Sequence, residues 1–172
     1  MVSVCFVCQG NICRSTMAEY VFKDLVKKEG LDKDFLIESR GVIADVGSDI
    51  HPGTKKMLEL HNIPYDKHIS TQLVKEDYDK YDYFIGMDNY NVLSMKRIFN
   101  NSDKVYKLLD FSKFSKDIDD PWYTHNFTIT YEEIYKKVNF NSLYIGDKHF
   151  IAYCVFCSAE RIDSFSFGEI SK

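Results

Sequence analysis

The sequence predicts an α/β fold, a single doubly wound parallel sheet flanked by helices. Two observations support this. Short apolar runs rich in β-branched residues alternate along the chain with segments of helical periodicity. No repeat or linker interrupts that alternation over the 172 residues, of which 45% are hydrophobic and 28% charged. These values are typical of one globular domain that is long enough to bury a core.

The predicted elements follow in a regular order. Strands are expected at 2–7, 35–42, 81–87 and 104–109. Helices are expected at 16–28, 52–62, 89–99 and 130–138. Pro52 suits a helix start, and Thr130 with Glu133 has the spacing of a capping box. Right-handed crossovers between such strands place a binding site at the carboxyl ends of the strands.

An octet between the first strand and the first helix has the chemistry of an anion site. It reads Cys8-Gln9-Gly10-Asn11-Ile12-Cys13-Arg14-Ser15. Backbone N–H groups at a helix start are unpaired, and the helix dipole favours an anion there. We expect Gly10 to permit the backbone conformations of such a nest, and Arg14 to bind two phosphate oxygens. The fold is therefore predicted to carry a phosphate-binding loop after its first strand.

Cys8 is the candidate nucleophile of this loop. A thiol in a positive field loses its proton readily, and the thiolate could attack phosphorus. Ser15 could donate a hydrogen bond to that thiolate. An isolated cysteine is more often a small packed hydrophobe, and Gly10-Asn11 alone would be an ordinary turn. The combined pattern of strand, Cys-x5-Arg-Ser and helix is much rarer than its parts.

The charge balance excludes some partners. A net charge of −4 argues against nucleic acid or an anionic membrane as the general partner. No apolar run reaches the roughly 18 residues that span a bilayer, and Met1 leads directly into the first strand without a signal peptide. We therefore expect a cytoplasmic protein.

The five cysteines fit a reducing compartment. Cys5 with Cys8 and Cys154 with Cys157 have CxxC spacing, which raises the possibility of structural zinc. The two pairs are much further apart than in a zinc ribbon, and Cys5 is expected to face the core. The sequence therefore predicts no metal and no other cofactor.

The first part of the chain resembles a known family. Residues 8–19, CQGNICRSTMAE, are similar to the signature of the low-molecular-weight protein tyrosine phosphatases, and the resemblance continues at 68–72, 81–89 and 120–123. It covers about the first 138 residues. We therefore divide the chain into a catalytic domain at 1–138 and a divergent segment at 139–172.

The resemblance implies hydrolysis of phosphotyrosine through a cysteinyl-phosphate intermediate, without a metal. It implies that Cys8 is the nucleophile, that Arg14 binds phosphate and that Asp120 is the general acid and base. Cys8 and Cys13 would form a reversible disulfide that protects the nucleophile. The loop would be supported by Asn11, Ser39 and His68. The implied substrate-binding residues are Gln9, Gly10, Asn11, Ile12, Cys13, Ser15, Trp122 and Tyr123.

The residues around Asp120 are consistent with this role. A thiolate that attacks a phosphomonoester needs an acid to protonate the leaving oxygen. Pro121 biases Asp120 toward an extended conformation, although an Asp-Pro pair alone is usually a turn. Trp122 and Tyr123 would form an aromatic wall that suits phosphotyrosine proteins or small aryl phosphates, with inorganic phosphate as product. Core packing is the alternative interpretation of both aromatic residues.

Three features depart from the family pattern. Residues 41–47 lack the aromatic residue that often forms the opposite wall, which is similar to the branch that acts on phosphoarginine, whereas Ile12 favours the tyrosine branch. Thr71 stands where the family commonly has Arg, and 139–172 does not follow the family's closing helix. The alternative functions are a phosphoarginine phosphatase, an arsenate reductase, for which only Cys13 is well placed as an electron relay, and a catalytically impaired phosphate-binding protein.

Overall fold

The computed structural model describes residues 1–101, 103–111 and 116–139. Its centre is a sheet of four parallel strands in the order β2-β1-β3-β4. The strands are β1 (Val2–Cys8), β2 (Phe35–Gly41), β3 (Tyr83–Gly86) and β4 (Val105–Lys107). The predicted α/β class with a parallel sheet is confirmed.

Helices cover both faces of this sheet. They are α1 (Arg14–Lys28), α2 (Pro52–Leu60), α3 (Asn89–Phe99), α4 (Pro121–Thr124) and α5 (Phe127–Asn139), with short 3₁₀ turns at Asp32–Asp34, Lys75–Asp79 and Leu108–Phe111. The α1, α2 and α5 helices pack together around one apolar cluster, whereas α3 packs on β3 and β4 at the other. No helix of the described ranges is long and apolar enough to cross a membrane.

The central strand β1 explains why its sequence is apolar at nearly every position. Successive side chains of a strand point to opposite faces. Val4 and Phe6 accordingly enter the cluster under α1, while Cys5 and Val7 enter the cluster under α3. Cys5 is fully buried, as expected.

The strand order places a crevice at the end of β1. The chain leaves β1 toward β2 on one side, and β3 and β4 lie on the other side. Connections that diverge from one strand leave a gap outside its carboxyl end, where α/β proteins bind ligands. Cys8 is the last residue of β1 and lies at this point.

Several predicted boundaries differ from the structure. The capping box of Thr130 and Glu133 is wrong, because α5 begins one turn earlier and Asn126 Oδ1 accepts the N–H of Ile129 at 3.1 Å. Thr130 is buried instead. The predicted strand at 104–109 is cut to three residues by the 3₁₀ turn that begins at Leu108. Except for Asn139, the divergent segment 139–172 lies outside the described residues.

Candidate active site

In the loop between β1 and α1 the carbonyl groups are hydrogen-bonded and most of the N–H groups are not. The carbonyls of residues 8–13 all accept hydrogen bonds from surrounding segments. Five of these donors are backbone N–H groups: Val42 to Cys8 at 3.0 Å, Ile43 to Gln9 at 2.9 Å, Asp45 to Gly10 at 3.1 Å, His51 to Ile12 at 2.9 Å and Met17 to Cys13 at 3.0 Å. The N–H groups of residues 10–13 donate to no residue of the described ranges. A concave row of unpaired N–H groups is an anion-binding arrangement.

The left-handed residue of this loop is Asn11, not Gly10. Asn11 has φ 56°, while Gly10 is outside the positive-φ region, and a Cβ placed on Gly10 would meet only Ile12 Cγ1 at 3.7 Å. The expectation that Gly10 supplies the special conformation is therefore wrong. Asparagine tolerates the left-handed region better than most residues, and its side chain is used here as well.

The side chain of Asn11 is fully buried and joins three segments. Its Nδ2 donates to Ser39 Oγ at 2.8 Å and to Ser15 Oγ at 3.0 Å, and its Oδ1 accepts the N–H of Thr71 at 2.9 Å. The carbonyl of Asn11 accepts Nε2–H of His68 at 2.8 Å. The predicted group of Asn11, Ser39 and His68 is thus assembled around the loop, and Thr71 takes part through its backbone.

Two further contacts fix the loop. Ser39 Oγ donates to Glu19 Oε2 at 2.6 Å, and Ser70 Oγ donates to the carbonyl of Gly10 at 2.9 Å. At Gly41 a Cβ would lie 2.8 Å from the carbonyl oxygen of Gln9. Glycine is required there because β2 and the loop approach so closely.

Cys8 lies at the floor of the loop. Its Sγ is 3.0 Å from Ser15 Oγ, and its side chain is buried. Ser15 Oγ already accepts a hydrogen bond from Asn11 Nδ2. The hydroxyl proton is therefore available to the sulfur, as the sequence predicted.

Arg14 is held in place from two sides. Its Nη1 donates to Asp88 Oδ2 at 2.6 Å and to the carbonyl of Ile118 at 2.9 Å, and its Nη2 donates to Asp120 Oδ2 at 2.5 Å. Burial opposes the guanidinium charge, but negative charge at Cys8, Asp120 and Asp88 outweighs burial and raises the pKa of Arg14. Its buried Nε has no partner among the described residues. Arg14 thus keeps one donor for a further acceptor.

Asp88 was not singled out from the sequence. Its Oδ1 accepts the N–H of Asn91 at 2.7 Å, so the residue is the N-cap of α3 and also the partner of Arg14. The signal that could have identified it is an aspartate directly before a predicted helix.

Asp120 is extended, with φ −80° and ψ 115°, as the following proline predicted. Its two oxygens have different partners. Oδ1 accepts the N–H of Trp122 at 3.0 Å and caps α4, whereas Oδ2 pairs with Arg14. The neighbouring Asp119 is exposed.

A cleft of about 280 Å³ opens above the loop. Trp122 and Tyr123 line it with exposed fractions of 55% and 68%, so core packing does not explain them. Ile43 and Asp45 line it as well, from the segment that lacks an aromatic residue, and sequence reasoning did not select either of them. The other lining residues are Cys8, Gln9, Gly10, Ile12, Cys13 and Asp120.

His51 connects the loop to the aromatic pair Trp122 and Tyr123, and no sequence motif indicated this role. Besides the backbone bond to Ile12, its Nδ1 accepts the N–H of Gly53 at 3.0 Å at the start of α2. Its ring stacks on Phe127 at 4.8 Å and meets Trp122 edge-on at 5.8 Å. A Cβ on Gly53 would lie 2.5 Å from the ring of Phe127, so this contact depends on glycine.

Lys107 anchors the segment that leads to Asp120. This buried lysine donates to Asp117 Oδ1 at 3.1 Å and to Asn89 Oδ1 at 3.0 Å. Ile118 is fixed in addition by its N–H, which donates to the carbonyl of Met87 at 3.0 Å. A single lysine in a short strand carries no recognisable sequence signal.

Cys5, Cys8 and Cys13 are free thiols. Burial, followed by negative charge on Cys8, raises the pKa of Cys13 to about 12. Within the described ranges no group of three or more His, Cys, Asp or Glu side chains could hold a metal ion. Cys154 and Cys157 lie outside those ranges.

The chain is similar to known phosphatases in sequence. The family model described as low molecular weight phosphotyrosine protein phosphatase matches residues 3–143. The chain is 40% identical over 132 residues to the low molecular weight protein-tyrosine-phosphatase YfkJ of Bacillus subtilis, covering 74% of this chain and 85% of the relative. It is 42% identical over 137 residues to the low molecular weight protein-tyrosine-phosphatase PtpA of Staphylococcus aureus, covering 78% of this chain and 87% of the relative.

Solved structures agree with this similarity. The crystal structure of YfkJ from Bacillus subtilis superposes with a TM-score of 0.77 at 38% identity and covers 80% of this chain and 90% of its own. The YwlE arginine phosphatase superposes with a TM-score of 0.74 at 27% identity and covers 80% of this chain and 91% of its own. The match over most of the chain shows that this protein belongs to the low molecular weight phosphotyrosine protein phosphatase family.

Proposed function

We propose that this phosphatase hydrolyses phosphotyrosine through a cysteinyl-phosphate intermediate formed on Cys8. The observation that carries the proposal is the hydrogen bonding of the loop, whose N–H groups at 10–13 have no partner among the described residues while its carbonyls are all bonded. Such donors match the equatorial oxygens of a phosphoryl group in transfer. Arg14, with its unpartnered Nε, adds the cation that the transferred group needs.

In the first step Cys8 Sγ attacks phosphorus and the P–O bond to the phenol breaks. The leaving oxygen takes a proton from the carboxylic acid of Asp120, so that tyrosine rather than tyrosinate departs. A phosphate in the loop competes with Asp120 for Arg14, because both are anions that bind the same guanidinium. This competition would release the carboxyl group of Asp120 toward the leaving oxygen.

In the second step water attacks phosphorus and the S–P bond breaks. Asp120, now ionised, accepts a proton from the water, and inorganic phosphate leaves. The sulfur departs as a thiolate, which the hydroxyl of Ser15 at 3.0 Å stabilises by a hydrogen bond. Asp88 keeps Arg14 oriented in both steps from the side opposite Asp120.

The proposed substrates are phosphotyrosine-containing proteins and small aryl phosphates. Trp122 and Tyr123 offer exposed aromatic surface on one side of the cleft. Aromatic rings favour each other beyond simple area burial. The names of YfkJ and PtpA as protein-tyrosine-phosphatases support the same substrate class.

A phosphoarginine phosphatase is the second candidate, and two observations favour it. The structural neighbour YwlE is named an arginine phosphatase. The segment 41–47 contributes the aliphatic Ile43 to the cleft rather than an aromatic residue. We rank it second because the aromatic pair at 122–123 and the higher identity to tyrosine phosphatases both favour phosphotyrosine.

We also propose that Cys13 protects Cys8 from irreversible oxidation. Both thiols line the same cleft, and charge on one affects the other. A sulfenic acid on Cys8 would condense with the thiol of Cys13 to give a disulfide and water. The proposed location is the cytoplasm, where the resting thiols stay reduced.

The test is hydrolysis of p-nitrophenyl phosphate with a chelator present, by the full chain and by Cys8→Ser. Cys5→Ser is the matched control, since Cys5 is buried in the same strand and faces the other core. We expect activity in the full chain and in Cys5→Ser but none in Cys8→Ser. Phosphotyrosine and phosphoarginine peptides of equal sequence then rank the two candidates. A folded chain inactive on every substrate would contradict the enzymatic proposal.

The protective role of Cys13 has its own test. After treatment with hydrogen peroxide, dithiothreitol should restore activity in the full chain but not in Cys13→Ser. Equal recovery in both proteins would refute the role.

A further inference from the structure

The cleft contains a carboxylate that the proposed reaction does not use. Asp45 lines it together with Cys8 and Asp120. Within the described ranges Asp45 makes no ion pair, whereas Asp88 and Asp120 both pair with Arg14. A negative charge beside a site for a dianion repels the substrate unless a cation accompanies it.

Asp45 is held in a defined position. Its N–H donates to the loop carbonyl of Gly10 at 3.1 Å, and its Oδ2 accepts the hydroxyl of Ser48 at 2.7 Å. The same turn is tied to the neighbouring segment, because Ser70 N–H donates to the carbonyl of Ser48 at 2.8 Å. The Oδ1 atom has no hydrogen bond to a described residue. Asp45 thus offers a fixed, exposed acceptor at the mouth of the cleft.

The surface around Asp45 suits a peptide. Ile43 and Val46 flank it in the chain with exposed fractions of 59% and 69%, and the exposed Trp122 and Tyr123 line the same cleft as Asp45. Exposed apolar side chains around a polar centre are typical of a protein-binding surface. The stems of Lys and Arg can pack on such surface while their charged ends reach a carboxylate.

We propose that Asp45 is a specificity-determining residue that selects phosphotyrosine segments with Arg or Lys next to the phosphotyrosine. This inference rests on the proposed function, since the phosphate must occupy the loop while the cation contacts Asp45. A Glu in the same flanking position meets two repulsions, from Asp45 and from the net charge of −4. Exposed ion pairs are weak, so the expected preference is about three- to tenfold in kcat/KM.

The experiment compares two phosphotyrosine peptides that differ only in Arg or Glu beside the phosphotyrosine. Each is assayed with the full chain, Asp45→Asn and the control Asp34→Asn. Asp34 is exposed and lies just before β2, at the opposite end of the sheet from the loop. The substitution Asp34→Asn therefore removes the same charge far from the cleft. We expect a preference for the Arg peptide in the full chain and in Asp34→Asn, and a ratio near one in Asp45→Asn. The ratio should also fall as salt is raised.

Three outcomes would overturn the inference: an unchanged ratio in Asp45→Asn, an equal loss in Asp34→Asn, or a preference for Glu. The cation that Asp45 binds could also be the guanidinium of a phosphoarginine substrate. A phosphoarginine peptide without Arg or Lys beside the phosphorylated residue tests this alternative. If Asp45→Asn slows only that peptide, Asp45 binds the substrate guanidinium itself and the flanking-residue proposal is wrong. Hydrolysis of p-nitrophenyl phosphate by the full chain tests the proposed function separately. Calorimetry measures binding of both peptides to Cys8→Ser without turnover. A failure of the Asp45 proposal can therefore be distinguished from a failure of the proposed phosphatase function.

Discussion

Asp120 Oδ2 lies 2.5 Å from Arg14 Nη2, so the proposed general acid and the proposed phosphate-binding group are paired with each other. Asp88 occupies Nη1 of the same guanidinium at 2.6 Å. The two carboxylates differ in what surrounds them. Asp88 caps α3 and is fixed by that helix, whereas Asp120 caps only the four-residue α4. The pairing with Asp120 is therefore the one that a bound phosphate can replace.

Asp120→Asn should lower kcat for phosphotyrosine peptides by about 10²–10⁴-fold, because the leaving oxygen loses its proton donor. The loss should be smaller for p-nitrophenyl phosphate, whose phenolate leaves without help. Inorganic phosphate should inhibit Asp120→Asn at least as strongly as it inhibits the full chain, since the carboxylate that competes with phosphate for Arg14 is removed. Steady-state kinetics with both substrates and a phosphate inhibition constant measure these effects. Equal losses on the two substrates would refute the acid role, and Asp119→Asn, an exposed neighbour, is the control.

Asn11 should show two separable contributions to stability. Asn11→Ala removes the hydrogen bonds to Ser15, Ser39 and Thr71 and also places an alanine at φ 56°. Asn11→Gly removes the same bonds without the backbone cost. We expect both to be destabilised, with Ala worse than Gly by about 1 kcal/mol. Urea unfolding measures the difference, and equal midpoints at equal m-values would show that the left-handed conformation carries no cost.

The residue patterns alone predicted local features. Partners from distant segments were identified only where the family resemblance supplied them, as for Ser39 and His68. The octet 8–15 carries its signal in adjacent residues, between a strand and a helix. Asp120 was identified through the family resemblance, because an Asp before a proline is by itself usually a turn. His51, Asp45 and Lys107 have no such signal, because their contacts at Ile12, Gly10 and Asp117 depend on the folded sheet. The special backbone conformation was predicted at Gly10 but occurs at Asn11 for a related reason. Either residue type tolerates positive φ, and only the buried partners of the Asn11 side chain decide between them.

Lys107 should act as a positioning residue for Asp120. Lys107→Met leaves Asp117 and Asn89 without their shared donor and loosens the segment that carries Asp120. We expect a lower kcat for phosphotyrosine peptides with little change in KM, and a smaller loss on p-nitrophenyl phosphate. Stability should fall by about 1–2 kcal/mol, because Lys107 is buried but Asp117 is 40% exposed and stays hydrated when its partner is removed.

Lys116→Met is the matched control for Lys107→Met. Its pair with Glu133 at 3.1 Å is exposed on the lysine side, so the cost should be less than about 1 kcal/mol. Chemical denaturation and steady-state kinetics on the three proteins separate the two effects. A uniform loss on both substrates in Lys107→Met would indicate a general folding defect and not a positioning role.

Ile43→Trp should strengthen the cleft for aromatic substrates. Ile43 lines the same cleft as Trp122, and an indole at position 43 could pack on the substrate ring. An aromatic pair contributes about 0.5–1.5 kcal/mol, so kcat/KM for p-nitrophenyl phosphate and phosphotyrosine should rise by about two- to tenfold. A phosphoarginine peptide should gain nothing. Val46→Trp, in the same loop but outside the cleft lining, is the control. The prediction fails if both variants change the rates equally.

Cys13 should make the fold sensitive to alkaline pH. Burial raises the pKa of Cys13 from 9.0 to about 12, so the folded state keeps its proton at a pH where the unfolded state loses it. The free energy of unfolding that comes from Cys13 is therefore fully present below pH 9.0 and is lost as the pH rises toward 12. Cys13→Ala removes this contribution, and the difference in unfolding free energy between pH 8 and pH 10.5 should be about 2 kcal/mol smaller than in the full chain. Denaturant titrations at the two pH values provide the measurement. Cys5 is present in both proteins, so its own raised pKa cancels in the comparison. An identical pH dependence in both proteins would mean that the thiol of Cys13 ionises as readily in the folded chain as in the unfolded one.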